Sequence, residues 1–299
     1  MTAKRSHFYA PRLVAVEAEL RKRLKPCRLD GFETLDNIRD RNIAMGDRFE
    51  RRGIEGKHSQ DFWLCGPGWA CDDPRTCCAA CHYASRIERA RLTVRLHPRL
   101  KASTSPIYLV SVVRKKWRLP PGELHSCDVA GGLAWFLKRL KSLPKGSVKG
   151  VIGVDASLHD QGGHRWWQPR LQAVITGPDK VALQAALTPK AGMTPGWLVK
   201  IVEVERSHLG NAISQVLART SRMHVSDAGD DERAGQRTVP LPSRHLAEHD
   251  AWLLDQAVTE RFRVVGFRPG PAPLFDEKSI RAPRIRLSER LRGCGRPRK

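Results

Sequence analysis

Runs and spacings of apolar residues predict four β-strands and three helices between residues 106 and 221. The continuous β-branched run over 106–113 (PIYLVSVV) is typical of a buried strand. Within 129–143, Leu133, Phe136 and Leu140 recur at helical spacing, and Pro144 ends the pattern. The other predicted elements are strands over 148–157, 166–176 and 197–205 and helices over 179–187 and 208–221.

The order of these elements predicts the fold of the core. It is β-α-β-β-α-β with one helix appended, and the two middle strands form a hairpin whose turn contains Gly162 and Gly163. This order is typical of the ferredoxin-like split βαβ pattern. Right-handed crossovers then give one antiparallel sheet with helices on one face, which leaves the other face open to a ligand.

The charge of the chain points to a partner. Its 299 residues include 53 Lys and Arg against 31 Asp and Glu, a formal net charge of +22. Nucleic acid is the expected polyanion, because each neutralised phosphate releases counterions. The sequence has no run of 18 or more apolar residues and no secretory signal, so we expect a cytoplasmic protein without a membrane partner.

The basic residues are clustered. Residues 84–118 hold ten Lys and Arg and one acid, Glu88, and residues 279–299 hold eight against Glu289. A basic tail with Gly and Pro but almost no aromatic residues is predicted to be disordered. In the first cluster Trp117 stands among Arg and Lys, a combination that suits single-stranded nucleic acid and equally an exposed strand end.

Five of the eight Cys fall within 17 residues, which predicts a zinc site. The spacing CxxC lets two thiolates bind one tetrahedral Zn²⁺ from a tight turn, and two further thiolates complete the site. The predicted ligands are Cys65, Cys71, Cys78 and Cys81, with Cys77 and His82 as further candidates. The zinc is expected to fold its segment rather than take part in a reaction, and a redox role for the CxxC pair is disfavoured by its surroundings.

Together these patterns predict an α+β fold: a ferredoxin-like β-α-β-β-α-β antiparallel sheet with a Cys-rich zinc-binding insertion and flanking helices. Five regions are expected along the chain. They are a basic helical N-terminal region over 1–60, a Cys-rich zinc-binding module with a basic helix over 61–101, the core over 102–224, a linker and an amphipathic helix over 225–269, and a basic disordered tail over 270–299.

Three segments occur in an order that resembles one family. They are the Cys-rich segment with its trailing arginines, the stretch GVDAS around Asp155, and the hairpin segment 167–177 (WQPRLQAVITG). The chain resembles, over roughly residues 60–265, the rolling-circle replication initiators of plasmids and related mobile elements, which belong to the HUH endonucleases. The resemblance implies two histidines on one strand that hold Mg²⁺ or Mn²⁺, and a tyrosine that attacks DNA from the helix after the fourth strand.

The residues at these positions differ from those of the family. The two metal-binding histidines align to Arg170 and Gln172, and the nucleophilic tyrosine aligns to Gln215. All three tyrosines of the chain precede the hairpin: Tyr9, Tyr83 and Tyr108. Arginine cannot bind Mg²⁺ and glutamine is a poor substitute for imidazole. Arg170 would place a fixed cation where the metal sits, and it can bind a phosphate without cutting the strand.

Two other functions stay open. In an active nickase, Ser214 could replace the tyrosine, and a metal site for Mg²⁺ or Mn²⁺ could be formed by Asp155, His159, Asp160 and His164. Asp155 can equally pair with an arginine, and a histidine in a turn is more often an exposed bystander. The third alternative is a zinc-containing RNA-binding or regulatory protein.

The leading prediction is a protein that binds single-stranded or hairpin DNA and has lost nicking activity. Trp166 and Trp167 point to opposite sheet faces, so one belongs to the core and the other can stack on an unpaired base. The residues expected to bind DNA are Arg86, Arg89, Arg91, Arg114, Lys115, Lys116, Trp117, Arg118, Trp167, Arg170 and Arg219.

Overall fold

The computed structural model describes residues 11–29, 32–53, 79–144, 148–188, 197–219, 222–226 and 237–267, which form an α+β fold around a mixed seven-strand sheet. Its helices are α1 (Pro11–Leu24), α2 (Leu35–Arg51), α3 (His82–Lys101), α4 (Val129–Leu140), α5 (Lys180–Leu187), α6 (Leu209–Val216) and α7 (Ser243–Leu254). Its strands are β1 (Ile107–Arg114), β2 (Lys149–Gln161), β3 (His164–Thr176), β4 (Trp197–Glu203), β5 (Arg222–Ser226), β6 (Arg237–Pro240) and β7 (Phe262–Val265). The predicted disordered tail lies outside the described residues.

The sheet runs in the order β4-β1-β3-β2-β5-β6, and β7 also pairs with β2. The pairs β4–β1, β1–β3 and β3–β2 are antiparallel, whereas β2–β5 is parallel. The prediction of an all-antiparallel sheet is therefore wrong, because β5, which follows α6, pairs with β2 in parallel.

The long hairpin of β2 and β3 forms the centre of the sheet. It pairs 13 residues on each strand, from Lys149↔Thr176 to Gln161↔His164. Gly162 and Gly163 have φ values of 56° and 87°, the left-handed conformation that a two-residue hairpin turn requires at both positions. The Asp160 carboxylate accepts a hydrogen bond of 2.9 Å from the Gly163 backbone N–H, which fixes the turn.

Helices cover both faces of the sheet, so the prediction of one open face is wrong. Ile152 packs in a core cluster with Phe136 of α4, and its neighbour Val151 packs in another with Ile213 of α6. Adjacent strand residues point to opposite faces, which places these helices on opposite sides. A Cβ atom at Gly153 would lie 2.5 Å from the Val216 carbonyl oxygen, so glycine is what lets α6 approach β2.

The C-terminal part of the described chain differs most from the prediction. The region expected to be a linker contains β5 and β6. The segment 245–267, expected to be an amphipathic helix with a short strand-like end, is observed as α7, which ends at Leu254, followed by β7. The strands β5 and β6 have five and four residues, and much of their length is polar or exposed. Short strands of this kind have too little apolar alternation to be seen in the sequence.

Candidate nucleic-acid interface

The basic segment after β1 lies against β3. Backbone groups of Leu119 and Trp167 exchange two hydrogen bonds, with N···O distances of 3.0 and 2.7 Å. The Gln168 side-chain amide adds a bond of 3.2 Å to the Arg114 carbonyl oxygen, and it accepts one of 3.3 Å from Arg118. The structure thus brings together two segments that are about 50 residues apart in the chain.

A pocket of about 350 Å³ opens beside this segment, between the start of α4 and β3. Trp117 and Trp135 form its aromatic walls, in an edge-to-face pair with ring centres 6.1 Å apart. The Arg114 guanidinium lies 5.1 Å from the centre of the Trp117 ring and 5.5 Å from that of Trp135. Lys116 and Arg170 also line the pocket. We call this the tryptophan pocket.

The tryptophan pocket combines what a nucleotide requires. Indole rings offer flat apolar surface for a base, and the cations around them suit its phosphate. The one carboxylate among the lining residues, Asp128, caps α4 by accepting a hydrogen bond of 2.7 Å from the Gly131 N–H. Burial, and to a lesser extent the charge of the neighbouring Arg139, lowers the pKa of Arg114.

A second group of side chains lies along the same strands. The Arg118 guanidinium lies 4.5 Å from the centre of the Trp166 ring, which stacks on His159 at 5.5 Å. His159 is in turn 4.9 Å from the ring of His224 on β5, and its Nε2 is 3.1 Å from the Ser157 hydroxyl. The indole N–H of Trp166 has no acceptor within the described part of the chain.

These histidines are neutral at physiological pH. Burial, with the charges of His224, Arg170 and Arg118, lowers the pKa of His159 to about 3. Burial and Arg170 lower the pKa of His224 as well. The fixed arginine charges beside these rings attract anions.

The metal site proposed for an active nickase is not assembled by its predicted residues. Asp155 is buried, pairs with Arg261 at 3.2 Å and lies 3.4 Å from Nε2 of His249. Burial raises the pKa of Asp155, but the hydrogen bond from His249 and the charges of Arg261 and Arg170 outweigh it and hold the pKa well below its usual value. The described residues contain no group of three or more His, Cys, Asp or Glu placed to hold a metal ion.

The positions that the resemblance assigns to catalysis lie on β3 and α6. Arg170 and Gln172 are two residues apart on β3 and therefore share a face, which is the face of Val174 and α6. Ser214 and Gln215 lie on α6, where Gln215 is exposed. The two tyrosines among the described residues, Tyr83 and Tyr108, are both buried. Neither offers an accessible hydroxyl as a nucleophile.

Four predicted DNA contacts need correction. Trp167 has no exposed surface and packs in the core against His249, so it cannot stack on a base. Arg86 and Arg89 are held by Glu17 and Glu33, and Arg219 by Asp250. Arg86 and Arg89, the basic residues of α3 that were expected to bind DNA, therefore pack inside the protein. Arg91, a third exposed, lies 3.7 Å from Glu88 on the same helix.

Most of the predicted zinc ligands fall outside the described residues, namely Cys65, Cys71 and Cys78. Cys81 is described and is fully buried directly before α3. From this position a CxxC thiolate would tie the start of α3 to the Cys-rich segment.

Sequence reasoning missed Trp135 and His224 at the interface. Trp135 lies beside Phe136 but off the apolar stripe of its helix, and an aromatic residue off that stripe could have been noticed. His224 lies on β5, in a region predicted to be a linker, and the sequence offers no pattern that would place it beside His159.

Comparisons of the chain with protein-family models, with curated proteins and with solved structures gave no match. Any function must therefore be argued from the residues themselves. In the described part of the chain, no helix is both long and apolar enough to cross a membrane.

Proposed function

We propose that this protein binds single-stranded DNA through the tryptophan pocket and the basic segment beside it, and that it does so without cutting the strand. In this proposal the core of the protein derives from a rolling-circle initiator. The position of a metal-binding histidine in that family is occupied by Arg170, which binds phosphate instead.

The strand order supports the proposed origin. In the part β4-β1-β3-β2 every neighbouring pair is antiparallel, α4 connects β1 to β2, and α5 connects β3 to β4. We propose that these six elements form a ferredoxin-like core and that β5, β6 and β7 are additions at its β2 edge.

The tryptophan pocket is the observation that carries the proposal. It places two indole rings beside the cations Arg114 and Lys116, next to the middle of the sheet. Stacking on aromatic rings with basic residues along the backbone is the common mode of single-strand binding. A base-paired nucleotide hides its ring faces in the stack, so an unpaired strand fits this pocket better than a duplex.

The expected lack of DNA cleavage follows from the arginine charges around Asp155 and His159. A strand-cutting metal needs carboxylates or imidazoles directed at one point, whereas Asp155 is engaged by Arg261 and His159 lies near Arg118 and Arg170. A phosphate group near Arg170 would find a guanidinium, which binds its oxygens but supplies neither a nucleophile nor a Lewis acid.

Fluorescence anisotropy tests the proposal with a labelled single strand, the matching duplex and RNA of the same sequence. We expect the single strand of DNA to bind most tightly, with a log–log salt slope of about −0.7 for each phosphate neutralised. Lys116→Gln should make that slope shallower by about 0.7, and Lys180→Gln, which removes an exposed charge on α5, should leave it unchanged. A flat salt response contradicts DNA binding, and tighter binding of RNA would favour the RNA-binding alternative.

A further inference from the structure

A different pocket, of about 200 Å³, lies between α2, α3 and α7. Its lining includes five arginines: Arg41, Arg48, Arg86, Arg89 and Arg219. We call it the arginine pocket. The proposed DNA interface uses none of these residues, so their gathering needs an explanation of its own.

Carboxylates neutralise only part of this charge. Only Glu17, Glu33 and Asp250 pair with the five guanidinium groups, and Glu17 is shared with Arg21, so an excess of positive charge remains in the ion-paired set. The pairs are Arg86–Glu17, Arg41–Glu33, Arg89–Glu33 and Arg48–Asp250, each with an N···O distance of 2.6 Å, and Arg219–Asp250. These pairs hold the guanidinium planes in place, so the pocket is preorganised for an anion.

Several donors of these arginines lack an acceptor. The Nη1 atom of Arg86 and the Nε atoms of Arg48 and Arg89 are buried, and none has a hydrogen-bond partner in the described ranges. The Arg86 side chain has no exposed surface at all. Buried N–H donors of a charged group are costly when left unsatisfied. Because these three atoms have no accessible surface, an anion in the pocket would meet the positive charge of the guanidinium groups rather than these donors.

We propose that the arginine pocket binds a phosphate dianion, either as inorganic phosphate or as the terminal phosphate of a nucleotide. A dianion would offset the excess of positive charge, and the planar donors of arginine match the oxygens of phosphate. The pocket volume of about 200 Å³ is enough for a tetrahedral oxyanion.

Isothermal titration of the full chain with inorganic phosphate at constant ionic strength tests this site. We expect one saturable binding event. Arg41 is half exposed, so Arg41→Gln leaves the buried pairs Arg86–Glu17 and Arg48–Asp250 in place and should weaken binding about tenfold. Arg51→Gln removes an exposed charge from the end of the same helix and should change binding by less than about twofold.

Thymidine monophosphate and thymidine separate the two sources of the phosphate. Binding of inorganic phosphate supports a free ion, and binding of thymidine monophosphate but neither of phosphate nor of thymidine supports a nucleotide terminus. In either case Arg41→Gln should weaken the binding of that ligand about tenfold. The proposal is overturned if neither ligand binds up to about 10 mM, or if both variants lose binding equally. The titrations contain no DNA, so their outcome is independent of the proposed function.

Discussion

The backbones of Leu119 and Trp167 exchange two hydrogen bonds, and this contact fixes the basic segment Arg114–Arg118 along β3. Trp167 is fully buried, so its role is to anchor the segment rather than to touch DNA. The same contact brings Trp117 into the tryptophan pocket and Arg118 onto Trp166. A buried core residue thereby sets the geometry of the proposed interface.

Replacement of either indole in the tryptophan pocket should weaken single-strand binding. Removing one stacking surface costs about 1–3 kcal/mol, so Trp117→Ala and Trp135→Ala should each raise the dissociation constant about 5-fold to 150-fold. Val181→Ala, which trims a side chain that is 79% exposed on α5, is the control and should leave the dissociation constant unchanged. Anisotropy with a labelled oligonucleotide measures all three, and equal affinity of Trp117→Ala and the control would remove this pocket from the interface.

The low pKa of His159 predicts a specific loss of stability in acid. Its folded-state pKa of about 3 lies below the usual value, so between about pH 6.5 and pH 3 the unfolded chain binds a proton that the folded chain does not. The stabilisation is present above about pH 6.5 and is lost as the pH falls, with a slope from this residue of at most about 1.4 kcal/mol per pH unit.

Urea unfolding of His159→Gln from pH 7 to pH 4 checks this prediction. The variant should lose less unfolding free energy on acidification than the original chain. His125→Gln replaces an exposed histidine and should follow the original chain. A curve for His159→Gln that runs parallel to that of the original chain would show that His159 is protonated equally in both states.

Asp155 should prove to be a structural residue. It is buried against Arg261, and removing one partner of a buried ion pair costs about 3–5 kcal/mol. We expect Asp155→Asn and Arg261→Met each to lower the free energy of unfolding by that amount, and the double variant to lose less than the sum of the two. Additive losses would contradict the coupling of Asp155 to Arg261. A rise in stability of the original chain with Mg²⁺ that Asp155→Asn abolishes would restore Asp155 as a metal ligand.

The zinc prediction rests on the Cys-rich segment and on buried Cys81. We expect one zinc ion per chain by elemental analysis, a large fall in the melting temperature with a strong chelator, and loss of the zinc in Cys81→Ser. Cys127→Ser is the matched control, because burial raises the pKa of that thiol to about 12 and nothing places it in the cluster. A protein that contains no zinc, or keeps it in Cys81→Ser, would contradict the predicted ligand set.

The sequence predicts the core elements well because their patterns are long and strong. The strand over 106–113 is observed as Ile107–Arg114, and the helix over 179–187 as Lys180–Leu187. In both elements one face is buried in the core, and this burial produces the regular spacing of apolar residues along the sequence. The strand β5 was missed because it is held by pairing with β2 rather than by an apolar pattern of its own. The strand β7 lies at the strand-like end expected for the segment 245–267.

Side-chain roles are harder to predict than elements. Arg86 and Arg114 belong to the same basic cluster of the sequence. In the structure Arg86 is buried beside Glu17, whereas Arg114 lies against Trp117 in the tryptophan pocket. The difference depends on α1, whose position relative to α3 no local pattern reveals. Charge clustering finds the basic residues, but only the packing shows which of them neutralise the protein's own acids.

The most direct test of the central claim uses circular single-stranded DNA with Mg²⁺ or Mn²⁺, at a protein concentration where a gel shift shows saturated binding. A denaturing gel then reports nicked product and any covalent protein–DNA adduct. The account predicts saturated binding with intact circles and no adduct. A nicked strand linked to the protein would contradict it, and mapping the linked residue would identify a nucleophile that the positions Arg170, Gln172 and Gln215 do not supply.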